Sequence, residues 1–178
     1  MSIRSLLVSA CSVILLATAG CGYTTGSLLP SKYKTIHVAP ILNKVDYVNQ
    51  DQRKIYIPGL ESRVRAVLID RFLFDGNLHV NQEDTADLIL KGELLSFERE
   101  ELRLTTAEDV KEYRLRITVS LQMIDPAENN KVLWSEPSFA GESTYYTSGP
   151  LAKSESTAID EALKDLAIRA VGRTIEDW

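Results

Sequence analysis

One stretch, from Tyr113 to Met123, alternates between apolar and polar side chains without interruption. The apolar set consists of Tyr113, Leu115, Ile117, Val119, Leu121 and Met123, and the polar set of Arg114, Arg116, Thr118, Ser120 and Gln122. Successive side chains of a β-strand point to opposite faces, so this period of two predicts a strand with one buried and one solvated face. The buried face requires a second layer of structure to cover it.

Two segments have the helical periodicity that such a layer needs. The first follows Pro58-Gly59 and ends at Asp75-Gly76-Asn77, where glycine suits the left-handed exit from a helix. The second begins near Ser154 or Ser156, and its apolar stripe consists of Ala158, Ile159, Ala162, Leu163, Leu166, Ala167, Ala170, Val171 and Ile175. We therefore predict an α+β two-layer sandwich, in which both helices pack on one face of a mixed, mostly antiparallel sheet of about four to five strands.

The remaining strands are weaker predictions. They are Tyr33–Val38, a short Leu78–Val80, Ala86–Leu104 and Lys131–Ser135, the last extended by Phe139–Tyr146. A change of apolar phase near Gly92 predicts a bulge or bend there. Val132 and Trp134 are candidate core residues, and Gly141 is a weak point in its strand. The connection from Ile41 to Ile57 is long enough to be functional or mobile, and its Tyr47, Val48, Tyr56 and Ile57 could form a further short strand.

The first 21 residues resemble a secretory signal that ends at a lipidated cysteine. Arg4 is followed by the uncharged stretch Leu6–Ala19 and then by small residues before Cys21. Thr18 stands where a bacterial lipobox usually has leucine, and Cys11 would leave too short an apolar segment. We predict a signal peptide at residues 1–20, a lipidated N-terminus and tether at 21–32 and one domain at 33–178. An ordinary cleaved signal and an uncleaved anchor are the alternatives.

Charge and cysteine content exclude two classes of protein. The full chain has 20 Lys and Arg against 25 Asp and Glu. Removal of Arg4 with the signal leaves a net charge of −6, which argues against nucleic-acid binding. Because Cys11 leaves with the signal and Cys21 carries lipid, we expect neither a disulfide nor a nucleophilic thiol.

No catalytic, metal or cofactor motif is present in the sequence. The two histidines, His37 and His79, are far from a cysteine and lack metal-ligand spacing. Neither a Gly-x-Ser-x-Gly elbow nor a phosphate-binding Gly-x-x-x-x-Gly-Lys loop occurs. We therefore expect a protein that is not an enzyme and needs no cofactor.

The polar face of the Tyr113–Met123 strand is the one feature with binding character. Arg114 and Arg116 project from the same side, roughly 7 Å apart, and Lys91 could join them from a neighbouring strand. A guanidinium group matches phosphate or carboxylate bidentately, so we predict contact with lipopolysaccharide or with the wall of a protein barrel. The alternative is that these cations only balance Glu93 and Glu98 across the sheet.

Several segments together resemble the LptE or rare lipoprotein B family of outer-membrane lipopolysaccharide-assembly lipoproteins. They are Cys21-Gly22-Tyr23 with Leu29-Pro30, Lys34–Pro40, Gly59-Leu60-Glu61, Ala86-Asp87-Leu88, Tyr113–Met123, Lys131–Trp134 and the last helix. The resemblance implies a lipid-anchored outer-membrane protein facing the periplasm. Its implied partners are an LptD-like β-barrel, lipopolysaccharide and the outer-membrane lipid that holds the acyl anchor. Gly22, rather than Asp, after Cys21 favours the outer membrane over the inner.

Two other functional classes remain open. A lipid-anchored regulator of a peptidoglycan synthase usually has a long tether. Here about 11 residues separate Cys21 from the first strand, which reach at most ~40 Å and favour work close to the membrane. A tethered hydrolase would need a nucleophile motif that the sequence lacks.

Overall fold

The computed structural model of the protein describes residues 29–46, 55, 57–104 and 110–176. The predicted signal, Cys21 and most of the tether lie outside the described residues. So do Tyr47, Val48 and Tyr56, three of the four residues proposed for an extra strand, and the turn at 105–109.

Six strands form one mixed sheet, and two helices form the second layer. In chain order the elements are β1 (Thr35–Val38), β2 (Leu42–Asn43), α1 (Leu60–Asp75), β3 (His79–Val80), a 3-10 turn (Glu83–Thr85), β4 (Leu88–Leu104), β5 (Val110–Asp125), β6 (Lys131–Tyr146) and α2 (Glu155–Glu176). The sheet order is β3-β1-β4-β5-β6, with β2 also beside β4. β1 is parallel to β3 and β4, whereas β4, β5 and β6 are antiparallel. The predicted fold class is confirmed, and the two-residue β2 makes the sheet larger than expected.

The core lies between the helices and the apolar face of the sheet. Leu115, Ile117, Val119, Leu121 and Met123 of β5 are each at most 1% exposed, as their alternation predicts. Every residue of the predicted apolar stripe of α2 is buried. In α1, the line Leu60, Val64, Leu68 and Phe72 enters the core. This face of the sheet is called the inner face below, and the polar face the outer face.

α1 begins and ends where the sequence predicts, and α2 begins where it predicts. At the end of α1, Gly76 has φ 77° and its N–H donates to the Phe72 carbonyl at 3.0 Å. At the start of α2, the Ser154 hydroxyl accepts the Thr157 N–H at 3.1 Å, so Ser154 rather than Ser156 is the N-cap.

The predicted bulge at Gly92 is wrong by three residues. Gly92 pairs regularly with Leu121, and the register breaks between Leu94 and Ser96, which leaves Leu95 as the extra residue. Gly92 is needed for space instead, because a Cβ there would lie 2.9 Å from Ile41 and 3.0 Å from Leu121.

Val132 is not a core residue, because it is 45% exposed. Trp134 pairs with Met123, whereas Val132 pairs with Ile124, the next residue of β5. The register break at Leu133 therefore places Val132 and Trp134, which are two residues apart, on opposite faces of the sheet. Trp134 is partly buried and packs against the core as predicted.

The long connection after β1 is attached to β4 at both of its described ends. β2 pairs in parallel with Glu93 and Leu94, and the Ile55 N–H donates to the Phe97 carbonyl at 3.1 Å.

Candidate functional site

The outer face of the sheet carries the two arginines that the sequence singles out. Because α1 and α2 pack on the inner face, the polar side chains of β5 remain open to solvent. The side chains of Arg114 and Arg116 are 37% and 44% exposed. Both therefore lie on an accessible surface, where a large anionic partner can reach them.

Each arginine is paired with a glutamate of a different neighbouring strand. Arg114 donates to Glu100 of β4 at 3.4 Å, and Arg116 donates to Glu142 of β6 at 2.7 Å. The sequence alternative proposed Glu93 and Glu98 as the balancing acids. In the structure Glu98 is the β4 residue opposite Arg116, but Glu93 lies farther along the strand, opposite Ser120. We call Glu98, Glu100, Arg114, Arg116 and Glu142 the charge ladder.

The ion pairs of the charge ladder leave both arginines able to bind another anion. All four paired side chains are between 37% and 49% exposed. Exposed ion pairs contribute only about 0–1 kcal/mol, because water screens them and ordering long side chains costs entropy. A phosphate could displace one carboxylate from a guanidinium group at little cost.

The structure does not bring Lys91 to these arginines. Lys91 lies opposite Gln122, six residues along β5 from Arg116, a distance of roughly 20 Å at 3.3 Å per residue. It lines a separate surface depression of about 490 Å³ on the outer face, together with Pro40, Leu42, Glu93, Ser120, Gln122 and Ser135. The predicted three-cation site is therefore two separate features of one face.

A polar network at the end of the sheet where the tether enters was not anticipated. The buried Asp125 carboxylate accepts hydrogen bonds from the Tyr33 hydroxyl at 2.8 Å and from Lys32 at 3.3 Å. It also accepts the backbone N–H groups of Ala127 and Glu128. Asp125-Pro126 reads in the sequence only as a turn, since the partners at Lys32 and Tyr33 are more than 90 residues away.

The pKa of Asp125 lies below its ordinary value. Burial on its own raises this pKa, but the hydrogen bonds from Tyr33, Glu128, Lys32 and Ala127 favour the charged form and outweigh it. The network fixes the start of the domain to the turn between β5 and β6, so the tether leaves the domain at this end.

Two kinds of feature are absent from the described residues. No group of three or more His, Cys, Asp or Glu side chains within residues 29–46, 55, 57–104 and 110–176 is placed to hold a metal ion. In the same ranges, no helix has the length and apolar character that crossing a membrane requires. His37 contacts the Asn81 carbonyl through Nδ1 at 3.0 Å, a backbone contact within the fold.

Comparison with known proteins identifies the family. The family model described as LptE, lipopolysaccharide-assembly, matches residues 33–174. The chain belongs to this lipopolysaccharide-assembly family. No curated protein sequence matches significantly.

Solved structures of low sequence identity share the fold. Protein XCC0632 from Xanthomonas campestris is 13% identical over 84% of this chain and 90% of its own, with a TM-score of 0.56. Lipoprotein B from Nitrosomonas europaea is 13% identical over 83% and 84%, with a TM-score of 0.50. Rare lipoprotein B from Shewanella oneidensis is a further match, 17% identical over 77% and 89%, but its TM-score of 0.43 is too low to support a shared fold.

Family membership establishes the general class of function. LptE proteins are lipoproteins of the cell envelope that take part in lipopolysaccharide assembly without catalysing a reaction. This agrees with the absence of catalytic motifs from the sequence.

Proposed function

We propose that this lipoprotein assists the transport and assembly of lipopolysaccharide at the outer membrane, as the plug or partner of a large LptD-like β-barrel. The observation that carries the proposal is the family match across nearly the whole folded domain. The lipid anchor at Cys21 holds the domain on the periplasmic side of that membrane.

The outer face of the sheet is the contact surface of this proposal. Arg114 and Arg116 are exposed and lie on β5, which is hydrogen-bonded to β4 on one side and to β6 on the other. Guanidinium groups on such a strand keep a fixed spacing, which suits the phosphates of a glycolipid or carboxylates on a barrel wall. Lys91 adds a third cation to the same face, at the depression beside β2.

Gentle detergent extraction followed by purification through a C-terminal tag tests the partner. We expect a large heat-modifiable β-barrel to co-purify in stoichiometric amount, together with lipopolysaccharide. A peptidoglycan synthase in its place would overturn the proposal and support the regulator alternative. The tagged double variant Arg114→Gln with Arg116→Gln tests the contact surface, and it should retain less lipopolysaccharide at an equal yield of folded protein.

A further inference from the structure

The depression around Lys91 on the outer face combines polar side chains of three strands with exposed apolar surface. Its volume of about 490 Å³ falls within the ~300–1,000 Å³ that is usual for small-ligand sites. Leu42, which is 55% exposed, and Pro40 supply apolar surface beside β4. We call the following residues the Lys91 depression: Pro40, Leu42, Lys91, Glu93, Ser120, Gln122 and Ser135.

The strand register arranges the five polar side chains in two rows. Lys91 lies opposite Gln122, and Gln122 lies opposite Ser135, so the first row crosses three strands. Directly opposite side chains have Cβ atoms about 5 Å apart, which makes this row roughly 10 Å long. Glu93 and Ser120 form the second row, two residues or roughly 7 Å farther along the strands.

The polar side chains of the Lys91 depression are open to a ligand. Within the part of the chain that the structure describes, none of the five forms an ion pair or a hydrogen bond through its side chain. Ser120 and Gln122 are half-buried. They have lost part of their contact with bulk water, so a ligand that supplies hydrogen bonds gains from them.

The composition of the depression selects one class of ligand. One cation beside one carboxylate leaves no net charge, unlike a site for phosphate, which needs an excess of donors and cations. A single acid is too little for a metal ion, and the described residues hold no group of three metal-ligating side chains. The groups that remain, which both donate and accept hydrogen bonds beside an apolar surface, match the hydroxyls and C–H faces of a sugar.

An extended peptide does not fit this place. At the level of the depression, β4 is paired with β2 on one side and with β5 on the other. β5 is paired with β6 in turn. The described strands therefore offer no free edge here to which a peptide strand could add.

We infer that the Lys91 depression binds a saccharide, which lies along the row from Lys91 to Ser135. Sugar hydroxyls donate to the Glu93 carboxylate and accept from Lys91 and Gln122, whereas the two serine hydroxyls do either. The C–H face of a sugar ring packs against Leu42 and Pro40.

This inference deepens the proposed function and rests on it, because the saccharide is then the carbohydrate part of lipopolysaccharide. Lys91 and Arg116 are six positions apart in the register of β5, which is roughly 20 Å. The outer face therefore divides its contacts: the arginines of the charge ladder hold phosphate, and the Lys91 depression holds sugar.

Saturation-transfer NMR on the full-length, acylated protein in detergent tests the assignment. The probe is the water-soluble oligosaccharide that mild acid releases from purified lipopolysaccharide, treated with phosphatase so that only sugar remains. We expect saturation transfer to the ring protons of the oligosaccharide, both for the free protein and for the complex that the tag purification yields. Inorganic phosphate is the competitor and should not displace the oligosaccharide.

A double variant locates the signal in the depression. Lys91→Ala with Gln122→Ala removes two hydrogen-bonding groups from the first row, so the affinity for the oligosaccharide should fall at least about tenfold. The melting temperature should stay near that of the parent, since both changes lie on the outer face, away from the core. The matched control is Lys111→Ala with Gln82→Ala, which removes the same two residue types at exposed positions outside the depression and should bind like the parent.

Four results would overturn the inference. They are no saturation transfer with the parent, equal affinity of the Lys91 and Gln122 variant, displacement by phosphate, which would indicate an anion site, and loss of the signal in the purified complex. The last would show that the protein partner fills the depression.

Failure of this inference is distinguishable from failure of the proposed function. Co-purification of a barrel with lipopolysaccharide, without a signal from the oligosaccharide, refutes only the saccharide site. Co-purification of a peptidoglycan synthase in place of the barrel refutes the proposed function itself.

Discussion

At the scale of single residues, the outer face presents charge without building a closed pocket. Arg116 lies between Glu98 and Glu142, so the ladder runs acid, base, acid across the sheet there, whereas Arg114 lies between Glu100 and Thr144. Since the pairs are exposed and weak, the arginines add little to folding and remain available to a stronger acceptor.

Replacing both arginines by glutamine should separate binding from stability. Arg114→Gln with Arg116→Gln removes two exposed ion pairs, so the free energy of unfolding should change by less than about 1 kcal/mol. Capture of purified lipopolysaccharide on a sensor surface should weaken at least about tenfold, because charge-assisted bonds to phosphate are lost. Glutamine is used because glutamate would add repulsion from Glu100 and Glu142.

The matched control is Arg63→Gln, which also removes an exposed ion pair, that with Asp160. It should leave lipopolysaccharide capture unchanged. If the double glutamine variant captures lipopolysaccharide as well as the parent does, the two arginines are not part of the binding surface.

Asp125 should make the stability of the domain depend on pH. Its folded-state pKa lies below the ordinary value of 3.8. The stabilisation is therefore present above that pH and is lost as the pH falls through the folded-state pKa. Asp87, which accepts bonds from Lys34 and Thr35, has a lowered pKa too and acts in the same direction.

The test compares Asp125→Asn with the parent by urea denaturation. At neutral pH the variant should lose roughly 1.5–3 kcal/mol, the range for hydrogen bonds to a charged group. Near pH 3 the difference should shrink, because below 3.8 the unfolded parent takes up a proton on this carboxyl more readily than the folded parent does. A constant difference between the two pH values would mean that the ionised carboxylate is not what fastens the N-terminal segment.

At the scale of residues, the sequence predicts a position correctly where the strand around it is regular. The alternation of β5 places Arg114 and Arg116 correctly, because an unbroken strand keeps its phase. The prediction for Val132 was wrong because the extra residue Leu133 reverses the alternation of side chains along β6. No feature of the sequence around Leu133 marks this irregularity. The partners of Asp125 were missed because they come from the opposite end of the chain.

At the scale of elements, the packing of α2 on β6 depends on the absence of a side chain at Gly141. A Cβ at that position would lie 2.3 Å from the Ala162 carbonyl oxygen and 2.5 Å from the Leu166 Cβ. The sequence suggested a weak point in the strand, whereas the structure shows a position where helix and sheet approach closely. Ala162 and Ala158 on the facing side of α2 are fully buried, which fits the same close packing.

Gly141→Ala should therefore destabilise the domain even though alanine suits a strand better than glycine. The added methyl group meets backbone atoms of α2, which cannot rotate away, so we expect a cost of about 1–3 kcal/mol in thermal or chemical unfolding. Ser138→Ala, an exposed change in the same strand, should remain within about 0.5 kcal/mol. An unchanged melting temperature for Gly141→Ala would show that α2 can move outward freely.

The open edge of β6 is partly closed by contacts from α2. The Glu142 N–H donates to the Asp165 carboxylate at 3.1 Å, and Arg169 donates to the Ala140 carbonyl at 2.6 Å. These bonds occupy backbone groups that would otherwise pair with another strand. The sequence shows Asp165 and Arg169 only as a helical ion pair, and their role at the sheet edge required the structure.

At the scale of the whole molecule, the two ends of the sheet differ in character. β5 spans 16 residues, which separates the ends by roughly 50 Å. The tether end holds the Asp125 network, Lys34 and the exposed Leu73 and Phe74 at the end of α1. The far end is the charged hairpin of β4 and β5, with Leu102 and Leu104 exposed on it. Such polarity suits a protein fixed to a surface at one end.

The anchor itself gives the last prediction. Protein extracted from membranes should lack residues 1–20 and carry acyl mass on Cys21, because a long uncharged stretch ends in small residues directly before this cysteine. Intact-mass spectrometry checks both points, and Cys21→Ala should lose the acyl mass. An acylated chain that begins at Cys11 would show that the wrong cysteine was chosen.

On a sucrose gradient the acylated protein should sediment with the outer membrane, since Gly22 lacks the acidic side chain associated with inner-membrane retention. Recovery with inner-membrane markers would contradict this placement and separate the domain from any outer-membrane barrel.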